Sequence, residues 1–137
     1  MIPLAKGLDT MPSNSSDVMS LERLARFGED WRRHDLDACM RYFTDDAVYA
    51  ASTGSGPGTI FAGRQAIQDE LARIFQSLEA GSFKPGACCI AGNRGFALWA
   101  LDRRMPDGSI VSFEGIDVFA FRGNFLTLKD SYRKAFA

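Results

Sequence analysis

Residues 31–52 read WRRHDLDACMRYFTDDAVYAAS, and the period of the chain changes twice inside this stretch. Trp31 closes an apolar series, Leu21, Leu24, Gly28 and Trp31, that recurs at helical spacing with Phe27 on the same broad face. Glu22, Arg23, Arg26, Glu29, Arg32 and Arg33 take the wet side, and Asp17 is a candidate N-cap. His34 and Asp35 break the pattern. A short second helix follows, with Leu36, Cys39, Met40 and Phe43 as its apolar set. Asp45 to Ala51 then reads as a short strand.

Beyond it, Ser52 to Thr59 forms a loop rich in glycine and serine. Gly63 precedes a third helix with the stripe Ile67, Leu71, Ile74, Phe75 and Leu78, ended by Gly81 and Pro85. The remainder predicts strands over Ala87–Ala91, Gly95–Arg104, Ser109–Phe121 and Phe125–Phe136. Their turns are Asn93-Arg94-Gly95, Pro106-Asp107-Gly108 and Gly123-Asn124. Glycine at the first central position of a two-residue loop suits a type II′ hairpin. Arg122 then faces Phe125, and an unbroken ladder sets Phe119 opposite Leu128 and Asp117 opposite Asp130.

The chain has 137 residues, the length of one domain, expected over 17–137 behind a disordered tail at 1–16. That tail lacks the apolar core of a secretory signal. Sixteen basic and seventeen acidic residues give a net charge of −1, which argues against a nucleic-acid partner. No apolar run is long enough for a membrane span. The three cysteines, Cys39, Cys88 and Cys89, have no C-x-x-C spacing and suit a reducing cytoplasm. No metal-ligand spacing, phosphate loop or dinucleotide motif occurs, so no metal or cofactor is expected.

The element order, with Trp31, Asp35-Leu36-Asp37, Phe43, Asp45-Asp46-Ala47, Gly63-Arg64, Ala66-Ile67, Gly115-Ile116-Asp117-Val118-Phe119 and Lys129-Asp130-Ser131-Tyr132, resembles the nuclear transport factor two-like superfamily. This group includes SnoaL-like polyketide cyclases, ketosteroid isomerases and limonene epoxide hydrolases. The resemblance implies an α+β fold: a cone-shaped, strongly curved antiparallel sheet wrapped around three N-terminal helices. It implies a concave set of Tyr49 and Ala51 on the first strand, and Phe96, Leu98 and Ala100 on a middle one. Phe113, Gly115, Asp117 and Phe119 continue the set, followed by Leu128, Asp130 and Tyr132. Phe27 and Trp31 from the first helix, with Leu71 and Phe75 from the third, complete an apolar pocket for a small apolar or aromatic ligand. It also implies a homodimer through the outer sheet face, where Ile110, Ile116, Val118 and Ala120 are apolar.

Asp117 and Asp130 are the candidate catalytic pair, with Tyr49 and Tyr132 orienting substrate oxygen. Two inward carboxylates on directly opposed residues would share a proton and supply one acid and one base. The plainer alternative is that one of them faces Lys129, Arg133 or solvent, or that the hairpin register differs by one. Asp117 matches a ketosteroid isomerase position, but that enzyme's base falls at Ala51 and its tyrosine at Phe27. The epoxide hydrolase relay falls near Leu98 and Ala100, which cannot carry it. The sole histidine, His34, reads as a surface turn residue. A lone carboxylate in an apolar cavity, as in polyketide cyclases, fits best. Two readings stand: a cofactor-independent isomerase, cyclase or dehydratase acting on an oxygen-bearing ring compound, and a non-catalytic ligand-binding or dimerisation module.

Overall fold

The structure, a computed structural model, describes residues 17–134. The tail expected over 1–16 and the strand end expected at Phe136 lie outside the described residues. The first helix, α1 (Leu21–Arg32), is capped by Ser20, whose side chain accepts from the Arg23 N–H, in place of the expected Asp17. Its buried residues Leu24, Phe27 and Trp31 keep helical spacing. It ends in a Schellman arrangement: His34 N–H donates to the Trp31 carbonyl and Asp35 N–H to that of Asp30. His34 takes the left-handed position with φ +59, where glycine is usual. Asp35 then caps α2 (Leu36–Met40).

Phe43 belongs to the next strand rather than to α2. That strand is β1 (Phe43–Ala50), followed by β2 (Ile60–Ala62) and α3 (Arg64–Ser77). The remaining strands are β3 (Phe83–Ala91), β4 (Arg94–Arg104), β5 (Ile110–Arg122) and β6 (Phe125–Arg133). Helix α3 stops at Ser77, and Pro85 lies inside β3 rather than ending a helix. The six strands form one curved, unclosed sheet in the order β2-β1-β6-β5-β4-β3, with only β1 and β6 parallel. This is the expected α+β architecture.

The helices fill the concave side. Phe27 is the hub of the core, meeting Trp31, Tyr42, Phe43 and Phe119 edge to face at 5.1–6.2 Å between ring centroids. Gly28 lets α1 approach β3, since a Cβ there would lie 3.2 Å from that of Pro85. Among the described residues no helix is long and apolar enough to cross a membrane.

The β5–β6 hairpin decides which side chains enter the cone. Arg122 pairs with Phe125 and Phe121 with Leu126, as the Gly123-Asn124 turn predicts, and Gly123 has φ +61. The ladder then slips: Ala120 pairs with Leu128, which leaves Thr127 as an extra residue in β6. From there Phe119 faces Lys129, Val118 faces Asp130 and Asp117 faces Ser131. A one-residue bulge exchanges the two faces of everything beyond it. The Asp117–Asp130 and Phe119–Leu128 pairings are thereby corrected.

Candidate functional site

Lys129 and Ser131 are buried on the concave side, beside Asp117. The Lys129 ammonium lies 3.1 Å from one Asp117 oxygen and donates to Ser131 Oγ at 3.0 Å. The other Asp117 oxygen accepts from Ser131 Oγ at 2.6 Å and from the Trp99 indole N–H at 3.1 Å. Lys129 Nζ also stands 4.3 Å from the Trp31 ring centroid and 4.5 Å from that of Tyr49. Burial pulls this ammonium down, but the Asp117 carboxylate, aided by Tyr49, more than offsets it. Lys129 therefore holds its proton above the ordinary lysine value. Burial raises the Tyr49 phenol, against the opposing pull of Lys129.

A void of ≈ 20 Å³, about the size of one water molecule, touches Asp117, Lys129, Phe27 and Phe119. Trp31, Phe83 and Trp99 line it too, and the same three rings line a larger cavity of ≈ 310 Å³ toward the mouth of the cone. Trp99 reaches this place because Gly115 has no side chain: a Cβ there would lie 2.2 Å from the indole. Tyr49, Leu101 and Phe113 add apolar wall, and His34, Ser52, Arg73, Arg103 and Arg133 supply a polar rim.

Of the expected site residues, Trp31, Tyr49 and Phe113 line the larger cavity, and Asp117 lies beneath it. Phe27, Ala51, Leu71 and Phe119 are buried in the core. Phe75 is half-buried, edge-on to Trp31 and stacked on His34 at 4.5 Å. The remainder are corrections. Phe96, Leu98 and Ala100 lie on the convex face, because Ala97, Trp99 and Leu101 take the concave phase of β4. Leu128, Asp130 and Tyr132 are turned to the convex face by the bulge at Thr127. There Asp130 accepts a hydrogen bond from the Tyr132 hydroxyl at 3.0 Å. Two opposed carboxylates sharing a proton inside the cone do not exist in this structure.

Sequence reasoning gave Lys129 only as the alternative partner of one aspartate, which the Asp117 ion pair bears out, and missed Ser131, Trp99 and His34. The positive φ of His34 turns its ring inward over Phe75, so it is a rim residue rather than a plain surface turn. Burial holds its imidazole below the ordinary value, partly offset by a hydrogen bond with the Phe75 backbone. Glu70, buried on α3, holds Arg73 through two hydrogen bonds of 2.8 and 2.6 Å.

The family described as SnoaL-like domain matches residues 24–127. The chain belongs to the SnoaL-like domain family. No curated protein matches it. This SnoaL-like domain shares its fold with a nuclear transport factor two-like protein of unknown function from Mesorhizobium loti. That likeness has 22% identity and a TM-score of 0.68, covering 91% of this chain and 98% of the other. It is similar to a Catenulispora acidiphila protein with a ketosteroid isomerase-like fold, in complex with trimethylamine: 16% identity, TM-score 0.70, 83% and 86% covered. A third likeness is to an epoxide hydrolase/cyclase-like enzyme of pyran ring formation in the polyether salinomycin: 18% identity, TM-score 0.68, 82% and 88% covered. The SnoaL-like fold includes isomerases and cyclases, and the residues that line each member's cone decide its chemistry.

Proposed function

We propose that this chain holds a small, largely apolar ring compound in the cavity between α1, α3 and the concave sheet. The observation that carries this reading is the wall of Trp31, Tyr49, Phe83, Trp99 and Phe113 around ≈ 310 Å³, beside a few polar side chains such as His34, Ser52 and Arg73. The acid–base reading keeps one carboxylate of two. Asp117 already receives Trp99, Ser131 and Lys129, and the void that adjoins it has room for about one water molecule. Proton transfer at Asp117 therefore competes with its pairing to Lys129, and binding is the function that the geometry favours. That a protein of the same fold has a role in pyran ring formation supports an oxygen-bearing ring compound as the ligand class.

Both tryptophans of the chain line the cavity, so intrinsic fluorescence reports on its occupancy. Titration with 2-naphthol is expected to quench the emission saturably. Absence of quenching up to millimolar ligand overturns the proposal.

We also propose that two copies pair through the convex sheet face. Leu98, Ile116 and Tyr132 line a groove there, and Phe96, Leu98 and Tyr132 are 39%, 45% and 55% exposed. The free thiols Cys39, Cys88 and Cys89 support a cytoplasmic setting.

A further inference from the structure

The rim of the cavity carries a charge that an apolar ring does not call for. Arg103 follows Leu101 by two residues on β4, and Arg133 follows Ser131 by two on β6. Both therefore share the concave face, and both line the cavity. They flank Phe113 on β5: Phe113 pairs with Leu101, and Arg103 pairs with Val111. The Arg133 guanidinium carbon stands 4.7 Å over the Phe113 ring. A contact to a ring uses none of the guanidinium N–H groups as a hydrogen bond to an acceptor, which leaves them for a ligand oxygen.

Among the described residues, none that lines this cavity carries a carboxylate. The nearby acids already have partners: Glu70 pairs with Arg73 of the rim, Asp117 with Lys129, Glu79 with Arg104, and Glu114 with Lys134. Among the described residues neither Arg103 nor Arg133 has an ion pair. Positive charge thus converges, unbalanced, on the open end of an aromatic-walled cleft. Low-dielectric walls concentrate such a field on whatever enters.

We propose that the ligand is a small aromatic or alicyclic carboxylate. Its ring lies against Trp31, Phe83 and Trp99, and its carboxylate is held at the mouth by Arg133 and Arg103. This rests on the binding role proposed above and adds the charge of the ligand. A planar guanidinium fork matches a carboxylate with two parallel hydrogen bonds, whereas a neutral ring gains nothing from it. His34 and Ser77 lie on the opposite rim as neutral donors or acceptors for a second oxygen substituent.

The test is calorimetric titration of the full chain with 2-naphthoate and with the neutral 2-naphthamide, at low salt. Wild type is compared with Arg103→Gln/Arg133→Gln and with Arg41→Gln, a basic residue of a separate groove on α1 and α2. The naphthoate is expected to bind about 10-fold tighter than the amide, the gain of a charge-assisted bidentate contact. That preference should vanish in the double variant and survive in Arg41→Gln. Equal affinity for the two probes in wild type overturns the inference and leaves the binding role standing. So does a preference that survives the double variant or is lost in Arg41→Gln. Failure of both probes to bind wild type overturns the binding role, and the inference falls with it.

Discussion

Asp117 and Lys129 form an ion pair of 3.1 Å whose side chains are only 6% and 5% exposed. Removing two charges from water is costly, and here the cost is offset by mutual attraction, by the Ser131 and Trp99 hydrogen bonds and by two aromatic faces over the ammonium. Lys129→Met leaves a buried carboxylate without its counter-charge, and is expected to cost about 3–5 kcal/mol in denaturant unfolding. Lys129→Met/Asp117→Asn is expected to recover most of that, because the lone charge is gone while the Trp99 and Ser131 partners stay. A single variant as stable as wild type would mean that the pair is solvated.

Gly115 is required by Trp99. An alanine methyl would lie 2.2 Å from the indole and 2.4 Å from the Tyr132 carbonyl oxygen. Gly115→Ala is expected to cost about 1–3 kcal/mol or more through overpacking, and to push Trp99 out of the cavity wall. A red shift of tryptophan emission alongside a lower melting temperature checks both consequences. Unchanged emission would place Trp99 elsewhere.

Alkaline pH should loosen the fold. The buried Cys39 thiol is pushed up to about 12, first by burial and then by the charges of Asp30 and Asp35. Its unfolded value is ordinary, about 8.5. Between these values the folded chain holds the proton that the unfolded chain releases, so stability falls as pH rises. The raised Tyr49 and Lys129 act in the same direction. Melting temperature is expected to decline from about pH 8.5 upward, as this linkage requires, and to decline less steeply in Cys39→Ala. Parallel pH profiles for the two proteins would remove Cys39 from this effect.

The convex groove offers a self-association test. Leu98, 45% exposed, faces away from the cavity, so Leu98→Asp should leave ligand binding intact. Sedimentation velocity is expected to show a concentration-dependent dimer for wild type and a monomer for the variant. A wild-type monomer at every concentration contradicts the pairing.

The sequence carries some of these elements openly and hides others. The α1 stripe of Leu24, Phe27 and Trp31 and the β5 alternation of Phe113, Asp117 and Phe119 are legible because one face of each is apolar or singular. The Gly123 turn is legible because positive φ selects glycine there. Strand β4 hides its phase: Phe96, Leu98 and Ala100 are as apolar as Ala97, Trp99 and Leu101, so alternation cannot choose between them. Strand β6 hides its bulge, since one extra residue leaves no compositional mark and Leu126 and Leu128 look like a single face. The charge pattern held a clue: the slipped register sets Lys129 diagonally across from Asp117, whereas the unbroken one brings two carboxylates together. Strand β2, with three residues, is too short for any period to emerge.

The proposed ligand occupies the cone between α1, α3 and the sheet. A crystal structure of the chain grown with 2-naphthol tests it most directly. Electron density for the ring is expected among Trp31, Tyr49, Phe83 and Trp99. Density only in the convex groove beside Leu98 and Tyr132, or none at saturating ligand, would contradict it.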